Sequence, residues 1–284
     1  MKKQQVFVIA GPTASGKSGV ALDFAEKIQG QIINADAFQV YQGLQILTAR
    51  PSESEMRGIP HYLYGYMDDF SQEDVVGWGK KVADLIPTLE NPILVGGTGL
   101  YLSVLINGIS PIPDVSPEIR NKVRQMDSNE VRSKLTKGRI PCDIQRQKRA
   151  LEILLETGYP IDYFQKLPKK KFLEADFRGI ILLPEKEKLY TRIEKRLNKM
   201  LQEGAIEEVK RLIERGASGG VMKAIGVKEI IDFIEKKENL EMTTKKILLS
   251  TRHYAKRQST WFRHQMPENF SIIKDTKLPK VITL

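Results

Sequence analysis

Eight residues near the start of the chain, Gly11-Pro12-Thr13-Ala14-Ser15-Gly16-Lys17-Ser18, match the spacing G-x-x-x-x-G-K-[ST]. That spacing is suited to phosphate chemistry. Backbone N–H groups of residues 13–18 converge on phosphate oxygens where a helix begins, and the helix dipole favours the anion. Lys17 adds a compact positive charge toward the terminal phosphate, and the Ser18 hydroxyl is placed to meet Mg²⁺. A glycine turn beside a surface lysine is the alternative, but a strand before the motif and a helix after it argue for the P-loop. Most P-loops hold ATP or GTP, so the chemistry served here depends on what stands around the loop.

Asp36, in "NADAFQVYQG", is the second reactive group. A carboxylate just past a parallel strand faces the binding crevice. There it can orient a metal, or accept a proton from a nucleophile attacking the bound phosphate compound. As a third option, it caps a helix before "AFQVY". An NTPase also needs an acid after its Walker B strand. The best candidate strand, "PILVGGTG", ends instead in glycines and Thr98. His61, in "GIPHYLYG", has no Ser or Cys partner nearby and reads as structural or as a phosphate neighbour.

Four short apolar runs supply the strands: residues 5–10, "QIINA", "PILV" and "FRGIILL" at 177–183. From Ser18 the apolar positions Ala21, Phe24, Ala25 and Ile28 follow helical spacing, and Gly30 is expected to end that helix. Strands alternating with helices predict an α/β fold, a P-loop-containing parallel sheet flanked by helices with right-handed crossovers. Residues 111–172 differ. They open with "PIPDVSP", carry no convincing strand, and hold 14 of the chain's 45 Lys and Arg. "SPEIRNKVRQM" predicts a helix capped by Ser116 with Pro117 at its first position, and "DIQRQKRALEILLETG" a second helix stopped by Gly158. The organisation expected is a core of residues 1–110 and 173–284, whose last part is helical, interrupted by a small all-helical basic insertion at 111–172. Within the helical C-terminal part, "TTKKILLSTRHYAKRQSTWFRHQM" contains six Lys and Arg and no acid. Tyr254, Trp261 and Phe262 are spaced as the core face of that helix, while the cations suit phosphate-backbone contacts.

At 284 residues, 41% hydrophobic and 28% charged, the chain can bury a full core. Its net charge of +10 reads either as a polyanion-binding surface or as a solvated lysine-rich one. A single cysteine, Cys142, excludes an internal disulfide and a Cys-based zinc cluster. With only a five-residue apolar run in residues 1–10, it points to the reducing cytoplasm. No apolar stretch approaches the roughly 20 residues a membrane span needs.

Together "GPTASGKS", "ADAFQVYQGLQILTARPS", "GIPHYL", "PILVGGTGLYL", "QRQKRALEILLETG" and "RHYAKRQSTWFR" follow the order found in the bacterial tRNA dimethylallyltransferases, which the chain resembles over nearly its whole length. The resemblance implies transfer of a dimethylallyl group from dimethylallyl diphosphate to the N6 amine of the adenosine 3′ to the anticodon. The P-loop would then hold a leaving diphosphate, and no Walker B acid is needed. It implies catalytic roles for Asp36 (general base), Lys17 and Thr13. Gly11, Pro12, Thr13, Ala14, Ser15, Gly16, Lys17 and Ser18 form the implied diphosphate cradle, with Ser18 the ligand to Mg²⁺. The implied contacts to the tRNA anticodon stem-loop are Asp36, Ala37, Phe38, Gln39, Thr98, Arg120, Gln145, Arg146, Gln147, Lys148 and Arg149. A single copy of the chain suffices for this chemistry.

Four departures from the family pattern stand out. Ala37 replaces the usual Ser after the aspartate, Val227 a usual aromatic, and Cys142 a common Asn, and the basic insertion is shorter than is typical. Three other readings compete: an adenylate isopentenyltransferase with a free nucleotide as acceptor, a small-molecule P-loop kinase with Asp36 as base, and an ATP-gated RNA-binding module.

Overall fold

The computed structural model describes residues 3–267 and 269–274. The chain folds as two compact units, one built from Met1–Ile106 with Leu173–Leu284 and the other from Asn107–Phe172. The smaller unit begins a few residues before the expected 111 because Ile109 and Lys170 exchange backbone hydrogen bonds of 2.9 and 2.8 Å, closing the insertion at its neck.

In the larger unit six strands form one parallel sheet: β1 (Gln4–Ala10), β2 (Gln31–Asn34), β3 (His61–Tyr62), β4 (Pro92–Gly96), β5 (Ala175–Leu182) and β6 (Ser271–Ile273). Their order is β3-β2-β4-β1-β5-β6. The strands are apolar on both faces, as a parallel sheet covered by helices requires; Val6, Val8, Ile9, Ile32, Ile33, Ile93 and Leu94 are all fully buried. Register aligns Ala10 of β1 with Gly96 of β4 and Ile181 of β5, and Asn34 of β2 with Val95. The residues following β1, β2 and β4 therefore emerge side by side at the carboxyl end of the sheet, where open α/β sheets bind ligands. Gly96 permits this convergence, since a side chain there would run into the backbone of Ala35.

The first helix, α1, spans Lys17–Ile28. Its end differs from the expectation: Gln29, not Gly30, takes the left-handed conformation at φ 53°. Gly30 is needed for space, because a β-carbon there would strike Ile93. Helices α2 (Val75–Leu85) and α3 (Gly99–Asn107) follow β3 and β4. Beyond β5 come α8 (Lys186–Gln202), α9 (Ala205–Glu214), α10 (Val227–Ile234) and the long α11 (Leu240–Gln265); α4–α7 belong to the smaller unit. Leu197 and Met200 of α8, Val209 and Leu212 of α9, Val227 and Ile230 of α10 and Ile247 of α11 bury one cluster with Val40, Tyr41, Leu44 and Leu47. Val227 thus fills core space with an aliphatic side chain where the resembled family carries an aromatic.

The smaller unit is helical: α4 (Pro117–Gln125), α5 (Ser128–Lys134), α6 (Ile144–Thr157) and α7 (Ile161–Lys166). Val123, Val131, Ala150 and Leu151 form its core. Ser116 does stand at the N-cap of α4 with Pro117 first in the helix, but its side chain does not cap. The hydroxyl instead donates to Glu156 at 2.9 Å, tying the α4 entrance to the end of α6. Gly158 ends α6 in the left-handed conformation, as expected.

Candidate active site

After Ala10 the backbone turns through residues 11–16 and enters α1 at Lys17. The Ser15 N–H closes a turn on the Pro12 carbonyl at 3.1 Å. Ala14 (φ 61°) and Gly16 (φ 91°) are left-handed on either side of Ser15, and alternation of this kind makes a backbone nest for anions. The N-cap residue is Gly16, which has no side chain to cap the helix. The first N–H groups of α1 consequently have no acceptor within the helix and lie at the positive end of its dipole. The Ser15 hydroxyl is buried and has no hydrogen-bond partner among the described residues.

Two of the amides expected to meet phosphate are already engaged. The Thr13 N–H donates to Gln258 Oε1 at 2.9 Å, and that of Ser15 is used in its turn. Among the described residues the Ala14, Gly16, Lys17 and Ser18 amides carry no such bond and stay available to an anion, with the Thr13 side chain at their edge. The Thr13 hydroxyl accepts a hydrogen bond from Arg196 of α8. Arg192, one turn earlier, donates to the Ser15 carbonyl at 3.1 Å. Gln258 of α11 also donates to the Gly97 carbonyl at 2.7 Å, so one buried amide side chain links the loops after β1 and β4. Sequence reasoning does not single out Arg192, Arg196 or Gln258. Arg and Gln on amphipathic helices look like solvated positions until tertiary packing turns them inward.

Asp36 is held by a second set of bonds. Asn34, the fully buried last residue of β2, accepts from the Asp36 N–H at 2.9 Å and donates to the carbonyls of Asp36 and Leu63, both at 3.0 Å. Asp36 Oδ1 accepts from the Phe38 N–H at 3.0 Å. This is a local turn; the segment after Asp36 is not helical, so the helix-cap reading fails. Thr98 lies beside it, its hydroxyl accepting from the Ala37 N–H at 2.9 Å and its own N–H donating to the Ala35 carbonyl at 3.3 Å. Burial and the Asp36 charge hold the Tyr254 phenol well above its ordinary range, with the Thr98 side chain opposing the shift. Loss of hydration draws the Lys17 ammonium down to about 8, with Asp36 opposing the shift and Arg196 adding to it. Burial also lowers Arg196, again opposed by Asp36. One carboxylate thus balances two desolvated cations.

Of these groups, Thr13, Asp36, Arg196 and Tyr254 line one cavity of about 70 Å³. Thr13, Asp36, Arg196, Thr251 and Tyr254 make its polar part, and Phe38, Leu47, Leu197, Met200 and Ile247 its apolar wall. Tyr254, expected to be core, lines this cavity; Phe262 is the core residue, and Trp261 lies half-buried over Gly99. Gln39 is spent within its own loop, donating to the carbonyls of Thr48 and Ala49 at 3.0 and 2.9 Å. His61 lines another cavity with Ser18, Gly19 and Tyr64. Its Nδ1 is 2.7 Å from the Ile59 carbonyl oxygen, and burial lowers its pKa.

The basic segments divide into paired and open charges. On α11, Lys245, Lys246 and Arg252 are ion-paired with Glu241, Glu238 and Glu194, so the acid-free stretch is partly neutralised from outside it. Lys256, Arg257 and Arg263 are exposed and carry no ion pair among the described residues. In the smaller unit Arg120 and Gln145 are exposed, and Arg146 is exposed beside Asp143. Lys148 donates to the Arg124 carbonyl at 2.8 Å and Arg149 pairs with Glu152 at 3.1 Å. Gln147 corrects an expectation: it is 2% exposed and donates to the Pro141 carbonyl at 2.7 Å. It holds the turn before α6 and has no surface to offer RNA.

The family model described as IPP transferase matches residues 39–265, and that described as isopentenyl transferase matches residues 4–69. A tRNA dimethylallyltransferase of Zymomonas mobilis is 41% identical over 99% of this chain and 95% of its own length. One of Rhizobium etli is 39% identical over 94% and 96%. Among solved structures, a tRNA isopentenylpyrophosphate transferase of Bacillus halodurans superposes with a TM-score of 0.69 at 30% identity, covering 96% of this chain and 90% of that one. A eukaryotic dimethylallyltransferase acting on tRNA gives a TM-score of 0.77 at 28% identity, over 91% and 70%. On these matches, which span both the P-loop half and the helical C-terminal part, the chain belongs to the IPP transferase family.

Proposed function

We propose that this protein transfers a dimethylallyl group from dimethylallyl diphosphate to the N6 amine of the adenosine 3′ to the anticodon of tRNA, releasing diphosphate. The observation that carries the reading is the shared cavity. A carboxylate, the edge of the P-loop and a half-buried arginine meet an apolar wall there, the pairing of charge and grease that an allylic diphosphate needs.

The N6 nitrogen attacks the allylic carbon as the bond from that carbon to the diphosphate oxygen breaks. Asp36 takes the proton lost by the amine; Oδ1 is held by the Phe38 amide, which fixes the carboxylate's orientation. The α1 amides, Lys17 and Arg196 stabilise the charge that develops on the departing oxygen, the electrostatic contribution expected to dominate such a reaction. Leu47, Leu197, Met200 and Ile247 exclude water from the carbon centre. Thr98 and Ala37, bonded to each other, line the acceptor's side of Asp36.

Mg²⁺ suits the donor set, since it takes few protein ligands and completes its shell with phosphate oxygens and water. The exposed Ser18 hydroxyl in the first turn of α1 would hold it, and when bound it would supply charge neutralisation on the diphosphate. In this reading one copy of the chain works in the cytoplasm, with Arg120, Gln145 and Arg146 among its tRNA contacts.

Labelled dimethylallyl diphosphate offered with unmodified tRNA, AMP or ATP tests the acceptor. Label is expected on tRNA alone. Label on AMP without tRNA would favour the adenylate isopentenyltransferase reading, and phosphate transfer from ATP without prenylation would favour a kinase.

A further inference from the structure

The smaller unit exposes two aromatic rings that the prenyl chemistry does not use. Tyr159 follows the Gly158 stop of α6, and Tyr163 lies in the first turn of α7. Their rings stack with centroids 4.8 Å apart and an interplanar angle of 27°. They are 54% and 46% exposed, so each keeps substantial ring surface facing solvent. Leu155, one turn earlier on α6, is exposed as well. A large apolar side chain left in water usually has a use when several cluster and are rigidly held.

These rings are rigidly held. The Thr157 hydroxyl accepts from the Tyr159 N–H at 3.1 Å and itself donates to the Ile153 carbonyl at 2.7 Å, fixing the backbone between α6 and the first ring. Tyr163 lies edge-on to the buried Phe164 at 5.2 Å. The surroundings are cationic. Lys166 and Lys169 follow closely in sequence, both exposed. Gly138 packs so closely on Pro160 and Asp162 that no β-carbon fits between them, which brings the turn holding Lys137 and Arg139 against the start of α7. Asp162 faces Gly138 in that contact. None of these four cations has an ion pair among the described residues.

Aromatic faces among unpaired cations match the chemistry of a single-stranded nucleic acid, whose bases stack while its phosphates meet the charges. We propose that Tyr159 and Tyr163 form a stacking platform for an unpaired base of the tRNA substrate. The proposal rests on the tRNA reading above and adds a contact distinct from the acceptor adenine.

The full-length protein with Tyr159→Ala and Tyr163→Ala tests it, alongside the Tyr159→Phe, Tyr163→Phe variant. Binding of unmodified tRNA is measured across a salt series. The alanine pair is expected to weaken binding by about tenfold to a hundredfold, the worth of one stacked base. The slope of log affinity against log salt should stay unchanged, because every cation that meets a phosphate is still in place. The phenylalanine pair should bind as the wild type does, and binding of inorganic diphosphate should be the same in all three proteins. Wild-type affinity in the alanine pair would overturn the proposal, as would a flattened salt slope. So would a concentration-dependent dimer that the alanine pair abolishes, because the rings would then face a second copy of this chain. Failure of the tRNA reading looks different: the wild-type protein itself would neither bind nor prenylate tRNA.

Discussion

Lys17 loses its hydration beside the P-loop, a cost that Asp36 only partly offsets and to which Arg196 adds a smaller repulsion, so its ammonium is drawn down to about 8. This predicts a pH dependence for the donor. In the proposed reading diphosphate meets the charged ammonium, so its affinity should fall as pH rises above 8, by up to about tenfold per pH unit. Isothermal titration with inorganic diphosphate would show the break. Stability of the ligand-free protein should move the other way. The folded-state pKa lies below the unfolded value of 10.5, so the unfolded chain binds more protons between these values and stability rises as pH climbs through that window. Asp36 depends on its neighbour in a similarly local manner. Asn34→Ala removes the two hydrogen bonds that set the Asp36 backbone and a third to the Leu63 carbonyl, and is expected to lower kcat about tenfold to a hundredfold through misplacement of the carboxylate. Donor KM should change little, since the P-loop is untouched. The P-loop and Asp36 are legible in the sequence because both rest on short contiguous spacing. Asn34 leaves a weaker sign, a polar residue closing the buried run "QIIN", which only a strand assignment makes meaningful.

At the scale of elements, the wall of the cavity hangs on one buried anion. Glu208 of α9 is 5% exposed and accepts from three consecutive amides, Gln45 at 2.7 Å, Ile46 at 2.8 Å and Leu47 at 2.9 Å. Those bonds fix the loop that presents Leu47 and Thr48 to the cavity. Glu208→Gln puts an NH₂ group where an acceptor is required and should cost about 1–3 kcal/mol of stability by urea unfolding. It should also raise KM for dimethylallyl diphosphate more than it lowers kcat, because it loosens the wall and leaves Asp36 and Lys17 in place. Apolar runs and 3.6-residue spacing suffice to place four of the six strands and the long helices, but not the three-residue β6. The two-residue β3 is too short to carry a period, and the inward turn of Arg196 and Gln258 depends on how α8 and α11 pack over the P-loop. Tyr254 escapes the sequence for the same reason: helical spacing separates an inner face from an outer one but does not distinguish a packed interior from a lined cavity.

Across the whole molecule the charge excess divides by location. Ion pairs absorb half of the six cations in the acid-free stretch of α11, whereas Lys169 and Lys170 in the smaller unit are exposed without such pairs among the described residues. Replacing Lys169, Lys170 and Lys171 by Gln is expected to weaken tRNA binding and to reduce the salt slope by about 0.7–0.9 for each phosphate no longer neutralised. An unchanged slope would mark that run as a solvated face. The order of motifs along the chain carries the family assignment, and the parallel sheet explains why they converge, since register brings the ends of β1, β2 and β4 together. The central claim is that the P-loop holds a leaving group and does not hydrolyse or transfer phosphate. Its most direct test measures, in one reaction without ATP, the diphosphate released and the prenyl groups gained by unmodified tRNA. Equal amounts of the two are expected, with no inorganic phosphate formed. Diphosphate or phosphate released without matching prenylation of tRNA, or an absolute need for ATP, would contradict it.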